Sequence, residues 1–322
     1  MATSEEIKPA METVEEAISD GEEKTDDLTV NDIIVIDPDT TELDLNHGRI
    51  GKLQNLEPLR CIERLYLRWN LIKKIENIDM LVTLTELELY DNQITKIENL
   101  ETLINLEILD LSFNRIKQIE GLSTLKKLSK LFLSSNKISK IENLGELNNL
   151  QLLELGDNKI RVIENLDSLT AVEQLYLGKN KIVKIENLDK LVNLTCLSLQ
   201  SNRITMLENL EKLTKLDQLY VSENGITVIE KLDDNKELNT LDLAKNKIKV
   251  IDNIFHLDLM EELWLNDNDI SDWVSIQKLG TLPKLGTIYL ERNPVASDPA
   301  YRRKLKMMIP SLQQIDATLC HV

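Results

Sequence analysis

The side chains best suited to catalysis or metal binding are few in this sequence and lie far apart. There are three histidines and three cysteines, namely His47, His256, His321, Cys61, Cys196 and Cys320. A zinc site needs about four such ligands close together, and a catalytic nucleophile needs a base within hydrogen-bonding reach. No nucleophile elbow or glycine-rich phosphate loop is present, and the chain has ten glycines. We therefore expect no metal, no cofactor and no enzymatic activity.

The composition narrows the class of protein further. The chain has 322 residues, 42% of them hydrophobic, and a formal net charge of −17. This length can bury a sizeable core, and no stretch approaches the roughly 20 apolar residues of a membrane helix. The low, odd number of cysteines favours a reducing compartment, and the acidity argues against a nucleic-acid partner. We thus expect binding to neither membranes nor nucleic acids.

Acidic residues are concentrated at the N-terminus. Residues 1–40 contain thirteen Asp or Glu against two Lys. The first 30 residues lack hydrophobic periodicity, which predicts an acidic disordered tail over residues 1–30. Within this tail Ser19, in SDGEE, has the Ser-x-x-Glu pattern favoured by acid-directed kinases and is a candidate phosphorylation site.

The dominant feature of the sequence is a repeat of 22 residues. The asparagine of the motif L-x-L-x-x-N recurs at this spacing at Asn70, Asn92, Asn114, Asn136, Asn158, Asn180, Asn202, Asn224, Asn246 and Asn268. Gly48 takes the same place one unit earlier, and Asn293 follows Asn268 after 25 residues. The chain therefore contains about twelve leucine-rich repeats.

These repeats predict an α/β fold, a leucine-rich-repeat solenoid with a concave parallel β-sheet. Each L-x-L forms a short strand whose leucines point to one face, and stacking the units pairs the strands. The asparagine side chain should point inward and bond the backbone of neighbouring turns. The rest of each unit should return along the convex side as short 3₁₀ or α-helical turns, because 22 residues leave no room for long helices.

Both ends of the stack need covers, because one unit cannot bury its own leucine face. We expect residues 31–293 to form the solenoid with its N-terminal cover, for which the apolar stretch 28–40 is the candidate. Residues 294–322 break the period and should form a helical C-terminal cap. Asp298 is expected to be the N-cap of this helix, with Pro299 at its first position and Pro310 ending it.

The residue between the two strand leucines points to the concave face, so this central column holds the information about partners. It reads Asp44, Tyr66, Glu88, Asp110, Phe132, Glu154, Tyr176, Ser198, Tyr220, Asp242, Trp264 and Tyr289. Six of these residues are aromatic, which is half of the twelve aromatic residues in the chain, and none is basic. Strand propensity can explain aromatic residues, but aromatics interleaved with carboxylates are typical of a binding surface.

We predict that the concave face binds a protein that offers apolar pockets and basic side chains. Aromatic residues would fill the pockets, and carboxylates would pair with Arg or Lys. The candidate partner-binding residues are Asp110, Phe132, Glu154, Tyr176, Asp242, Glu262, Trp264 and Tyr289. Glu262 comes from the neighbouring column, directly before the first leucine of its strand, and with Trp264 it is the first choice for a hot spot. Trp69, Tyr90 and Phe113 lie at strand ends nearby.

Over about residues 40–320 the sequence resembles the leucine-rich-repeat regulatory subunits of protein phosphatase 1. The resemblance rests on the twelve units, the I-E-N-L turns, the concave column and the end segment NPVASDPAYRRKLKMMIPSLQQIDA. It implies a non-catalytic protein of the nucleus, also present in the cytoplasm, that binds the two-metal catalytic subunit through its concave face. It further implies control of that subunit's activity or maturation, a ternary complex with a further inhibitor subunit, and effects on mitosis and chromosome segregation.

Two alternatives stay open at this point. Related repeat proteins share the I-E-N-L turns, so a generic interaction scaffold with a different partner would have the same fold. A hydrolase-like enzyme is the second alternative. The phosphatase reading is consistent with the sequence in one further respect, because no basic-Val/Ile-x-Phe docking peptide surrounds its Phe and Trp residues. A capped solenoid has no evident need to self-associate, so we expect a monomer on its own.

Overall fold

The structure, a computed structural model, describes residues 37–320. Our expectations for the tail 1–30, for Ser19, for residues 28–36 of the N-terminal cover and for His321 lie outside these residues. Within them, twelve three-residue strands pair in chain order into one parallel sheet. Equivalent residues of consecutive repeats are partners, for example Tyr176 and Ser198. The predicted leucine-rich-repeat solenoid is confirmed.

The parallel strands are β1 Glu42–Asp44, β2 Arg64–Tyr66, β3 Glu86–Glu88, β4 Ile108–Asp110, β5 Lys130–Phe132, β6 Leu152–Glu154, β7 Gln174–Tyr176, β8 Cys196–Ser198, β9 Gln218–Tyr220, β10 Thr240–Asp242, β11 Glu262–Trp264 and β12 Thr287–Tyr289. Two short strands follow, β13 Gln314–Ile315 parallel to β12 and β14 Thr318–Leu319 antiparallel to β13. The helices are α1 Trp273–Lys278 and α2 Tyr301–Met308, and 3₁₀ turns span Leu279–Thr281 and Pro294–Ser297.

The core lies between the sheet and the convex turns. In each repeat both strand leucines are buried, as Leu175 and Leu177 are in the strand that contains Tyr176. Tyr176 itself is only partly covered. This alternation follows from the two-residue period of a strand with one face packed on a core, and it places the central column on the opposite, concave face.

The repeat asparagines form a buried ladder, as the sequence predicts. In a representative repeat, Asn158 Nδ2 donates to the carbonyl oxygens of Leu133, at 2.9 Å, and Leu155, at 3.1 Å. Its Oδ1 accepts from the backbone N–H of Ile138 at 2.9 Å. One side chain therefore satisfies backbone groups of two neighbouring repeats that burial would otherwise leave unpaired.

Replacing Asn158 by Ala is expected to lower the free energy of unfolding by about 2 kcal/mol, because buried backbone groups lose their partners. Chemical denaturation of the purified full chain measures this change. Asn149→Ala is the matched control, because Asn149 makes one exposed bond, from its Nδ2 to Lys126 O. Equal midpoints for the two variants would contradict the role assigned to the ladder.

The structure reveals a second asparagine ladder that the sequence reasoning missed. The asparagine of the convex I-E-N-L turn adopts a left-handed backbone, with φ of 61° at Asn99. Its Nδ2 donates to the carbonyl oxygen of Ile75, one repeat earlier, at 2.6 Å. Asparagine tolerates this backbone better than most residues. The same bond recurs from Asn77, Asn143, Asn165, Asn187, Asn209 and Asn253.

The convex side consists of tight turns in all but one repeat. Successive bonds join residues three apart, as from Leu81 N to Ile78 O at 3.0 Å and from Leu84 N to Leu81 O at 3.1 Å. These are 3₁₀-type turns, as predicted for a short repeat. The one 25-residue repeat, before Asn293, has room for helix α1, and Asp272 caps this helix by accepting from the backbone N–H of Val274 and Ser275.

The C-terminal cap contains the predicted helix, but its start differs from the prediction. Asp298 is not the N-cap, because α2 begins two residues after Pro299, with Ala300 at the N-cap position. The Asp298 carboxylate instead accepts from Ala300 N at 2.8 Å and forms an ion pair with Lys304. The helix ends at Met308, just before Pro310, as expected.

Candidate functional site

The concave face carries all eight predicted residues, and the strand pairing divides them into two clusters. The first cluster, on adjacent strands β4 to β7, consists of Asp110, Phe132, Glu154 and Tyr176. The second cluster, on strands β10 to β12, consists of Asp242, Glu262, Trp264 and Tyr289. Strands β8 and β9, with Ser198 and Tyr220, separate them. Three strand steps of roughly 4.8 Å place the clusters about 14 Å apart.

The tyrosines of the central column lie flatter on the sheet than an open surface would require. The hydroxyls of Tyr176 and Tyr220 each donate to the side-chain oxygen of the glutamine two residues earlier, at 3.3 Å. Burial raises the pKa of Tyr176 above its ordinary value and raises the pKa of Tyr220 to about 12. Both side chains are therefore neutral at physiological pH, with an apolar ring and one hydroxyl available for a partner.

The carboxylates of the clusters are more deeply set than the sequence suggested. Asp110 accepts from Ser112 N at 2.8 Å, and Asp242 accepts from Ala244 N at 2.9 Å. Asp242 is only 6% exposed. Burial raises the pKa of the Asp110, Glu154 and Asp242 carboxyls above the usual range. These two aspartates thus have a local role at the strand end in addition to any role in binding.

The charge of the two clusters is not neutralised from within. Across residues 37–320, no salt bridge engages Asp110, Glu154, Asp242 or Glu262. By contrast, Glu88 in the same column is paired with Arg68, whose Nε and Nη2 both lie 2.5 Å from its oxygens. The clusters consequently keep four carboxylates available to cations of a partner.

Trp264 is the best-supported anchor of the second cluster. Its ring meets that of Tyr289 edge to face, with centroids 5.6 Å apart. Gln314 Nε2, from the C-terminal cap, donates to the Tyr289 hydroxyl at 2.7 Å, so the cap helps to position this cluster. The indole N–H of Trp264 is buried and has no hydrogen-bond partner among the described residues. Such a donor costs free energy until an acceptor reaches it.

A shallow groove of about 390 Å³ adjoins the first cluster. Gly156 and Gly178 line it, each two residues after a central-column residue, and the missing side chains leave space there. Glu154 and Tyr176 also line the groove, together with Phe113 from a strand end. An aromatic wall beside a carboxylate suits a long basic side chain, which can stack its stem and pair its charge.

The strand ends of the first repeats carry a continuous row of stacked rings, only part of which the sequence indicated. His47 stacks on Trp69 with centroids 4.4 Å apart, Trp69 meets Tyr90 at 5.6 Å, and Tyr90 meets Phe113 at 4.8 Å. Trp69 and Phe113 have φ of 54° and 55°. Bulky residues rarely adopt this backbone, which makes the row unusual for a repeat that needs only a turn there.

The residues with catalytic or metal-binding potential are not brought together. Cys61, Cys196 and Cys320 are free thiols. His47 belongs to the stacked row, and His256 Nε2 lies 3.2 Å from Leu232 O. Within the described part of the chain, no group of three His, Cys, Asp or Glu side chains could hold a metal ion. No helix of that part is long and apolar enough to cross a membrane.

The sheet, the asparagine ladders and the mixed concave face define a repeat protein built for interaction, and the chain belongs to the leucine-rich-repeat family. The model of the leucine-rich repeat matches residues 133–222 and 214–319. A model of two repeat copies, "Leucine Rich repeats", matches residues 82–124 and 104–146.

Curated relatives carry one name over a short stretch. "Protein phosphatase 1 regulatory subunit 7" of Xenopus tropicalis is 52% identical over 49 residues, 15% of this chain and 14% of the relative. The protein of that name from Danio rerio is 56% identical over 46 residues, 14% of this chain and 13% of the relative. The human one is 54% identical over 49 residues, 15% of this chain and 14% of the relative. The chain thus matches about one seventh of their length, and the resemblance seen in the sequence is confirmed over that stretch.

Solved structures agree on the fold. An internalin of Listeria monocytogenes superposes with a TM-score of 0.70 and 27% identity, covering 87% of both chains. A leucine-rich-repeat protein of Leptospira interrogans gives a TM-score of 0.67 at 24% identity and covers 80% of this chain and 73% of its own. The second similarity concerns the fold alone.

Proposed function

We propose that this protein is a non-catalytic regulatory subunit that binds the catalytic subunit of protein phosphatase 1 through its concave face. The observation that carries the proposal is the pair of clusters, in which aromatic side chains alternate with carboxylates that have no internal cation. The name shared by the curated relatives supports the choice of partner. The metals and the hydrolytic reaction then belong to the phosphatase.

The two clusters would act as two parts of one interface. Trp264 and Tyr289 would enter an apolar pocket, where the indole N–H gains an acceptor that it lacks in the free chain. Asp110 and Glu154 would pair with Arg or Lys of the phosphatase, and the adjoining groove would take one such side chain. A partner that spans both clusters covers a distance compatible with the roughly 800 Å² that each protein buries in a standard interface.

Such a complex would let the protein control the activity or maturation of the phosphatase. A rigid sheet that covers part of a catalytic subunit changes what can reach its active site without contributing chemistry. Action in the nucleus and cytoplasm, effects on mitosis and chromosome segregation, and a ternary complex with a further inhibitor subunit are parts of the same proposal. They follow from the resemblance and not from the geometry of the clusters.

Direct binding tests this function. Purified full-length protein is immobilised and exposed to purified protein phosphatase 1 catalytic subunit, and in parallel to a cell lysate whose captured proteins are identified by mass spectrometry. We expect saturable binding of the pure phosphatase and its recovery from the lysate. Capture of another protein by the concave face, with no binding of the pure phosphatase, would instead establish the generic scaffold.

A further inference from the structure

A continuous basic surface runs along one flank of the solenoid of this acidic protein. It consists of the residues one, three and four positions after the ladder asparagines, from Leu71 to Val250, and we call it the basic flank. Of these 27 positions, 14 are Lys or Arg and none is Asp or Glu. The basic residues are Lys73, Lys74, Lys96, Arg115, Lys117, Lys137, Lys140, Lys159, Arg161, Lys181, Lys184, Arg203, Lys247 and Lys249.

The backbone holds these positions in register. The residue after each ladder asparagine donates its N–H to an isoleucine carbonyl one repeat earlier, as from Lys137 to Ile116 at 2.8 Å and from Lys159 to Ile138 at 2.7 Å. The asparagine Oδ1 fixes the same segment from the other side, through the bond to Ile138 N. The basic side chains therefore stand in columns over nine repeats, a length on the order of 40 Å at roughly 4.8 Å per repeat.

Most charges of the flank have no counter-charge in the described part of the chain. Only Lys96 and Lys140 form salt bridges there, each at 3.7 Å to the glutamate two residues later. In the column directly after the asparagine, Arg115, Lys137, Lys159, Lys181 and Arg203 follow one another in five successive repeats. Like charges at adjacent positions repel, so an anionic partner would relieve this arrangement.

The flank also carries exposed aliphatic side chains, and all of these lie in its C-terminal half apart from Leu71. They are Val162, Val183, Met206, Val228 and Val250, each between 43% and 59% exposed. A groove of about 640 Å³ is lined by Val228 and Val250 together with Lys247 and Lys249. None of the 27 positions is aromatic, so the flank lacks the stacking platforms that single-stranded nucleic acids use.

We propose that the basic flank binds an extended acidic polypeptide segment of a partner protein, one that interleaves Asp or Glu with aliphatic residues. The carboxylates of the segment pair with the columns of Lys and Arg, and its aliphatic residues cover the valines and the groove. This surface is separate from the concave face, so the proposal stands apart from phosphatase binding. The net charge of −17 conceals it, because repeat periodicity sorts the charges onto different sides.

The test uses the full chain and a fluorescein-labelled 20-residue peptide of alternating Glu and Val, followed by fluorescence anisotropy at low salt. The flank variant combines Lys137→Glu, Lys159→Glu, Lys181→Glu and Arg203→Glu. The control variant makes the same charge change on exposed residues of the convex turns, with Lys127→Glu, Lys190→Glu, Lys212→Glu and Lys236→Glu. If each exposed pair contributes about 0.5 kcal/mol, the flank variant should bind the peptide about thirtyfold more weakly. The control variant should lose less than about threefold.

Three further measurements decide the matter. Val228→Ser with Val250→Ser should weaken binding of the Glu-Val peptide and leave a Glu-Ser peptide unaffected, which supports the apolar half of the surface. Both charge variants should keep the melting temperature and the phosphatase capture of the parent chain. Equal losses in the flank and control variants would overturn the proposal, as would tighter binding of a single-stranded DNA 20-mer than of the peptide.

Discussion

Replacing Trp264 by Ala is expected to lower the affinity for the protein phosphatase 1 catalytic subunit by about 3 kcal/mol, roughly 150-fold. The variant removes the largest ring of the second cluster and the buried indole N–H that has no partner among the described residues. Its loss also releases the edge-to-face contact with Tyr289. Titration calorimetry with the purified catalytic subunit measures the change.

Two companions separate binding from stability. Glu262→Lys reverses a charge on the same strand without removing a ring, so it should weaken binding and leave the melting temperature unchanged. Tyr66→Ala removes a ring from the same column on β2, outside both clusters, and should leave the affinity within about threefold of the parent, as expected away from a hot spot. Parental affinity in both the Trp264 and the Glu262 variants would show that the second cluster is not part of the interface.

Neutralising the three deep carboxylates together, with Asp110→Asn, Glu154→Gln and Asp242→Asn, is expected to cost about 4 kcal/mol of binding free energy, roughly a thousandfold. Each change keeps an oxygen that can accept the local backbone bond, so the fold is maintained. The partner's cations would then lie in the interface without their counter-charges. The same calorimetric titration applies, with Glu164→Gln, Glu186→Gln and Glu208→Gln on the convex turns as the matched control.

The same triple variant should not be less stable than the parent at neutral pH. Burial raises the pKa of all three carboxyls, so the folded chain binds these protons more tightly than the unfolded chain does. The stability that each group contributes is therefore present at low pH and is lost as the pH rises through its folded pKa. Denaturation between pH 4 and 7 should show this loss in the parent and less of it in the variant. A marked fall in stability of the variant at pH 7 would show that the carboxylates serve the fold.

The sequence determines the strands and the inner asparagine ladder because both are fixed by packing at a constant period. Leu175 and Leu177 must be buried, and Asn158 must satisfy backbone groups of two repeats. The second ladder escaped notice because a polar residue such as Asn99, in a surface turn, is indistinguishable in sequence from a solvated one. Its role depends on a carbonyl one repeat away, which local patterns do not show.

Other differences have equally local causes. Asp298 followed by Pro299 is a helix-start signal, but the helix is displaced to Tyr301, whose hydroxyl reaches the Asp316 carboxylate at 3.2 Å. The central column was placed on the concave face correctly, whereas the depth of Asp242 depends on its neighbours in β9 and β11. The basic flank was missed because total charge was considered without its distribution around the repeat.

Site-specific photo-crosslinking tests the central claim, that the concave face holds the phosphatase, most directly. A benzophenone amino acid is placed at Lys130, beside Phe132 on the concave face, and at Thr287, beside Glu262 in the sheet. Control positions are Lys190 on a convex turn and Lys247 on the basic flank. With purified protein phosphatase 1 catalytic subunit, crosslinks are expected from Lys130 and Thr287 and not from the controls. Crosslinks from Lys190 or Lys247 alone would contradict the account.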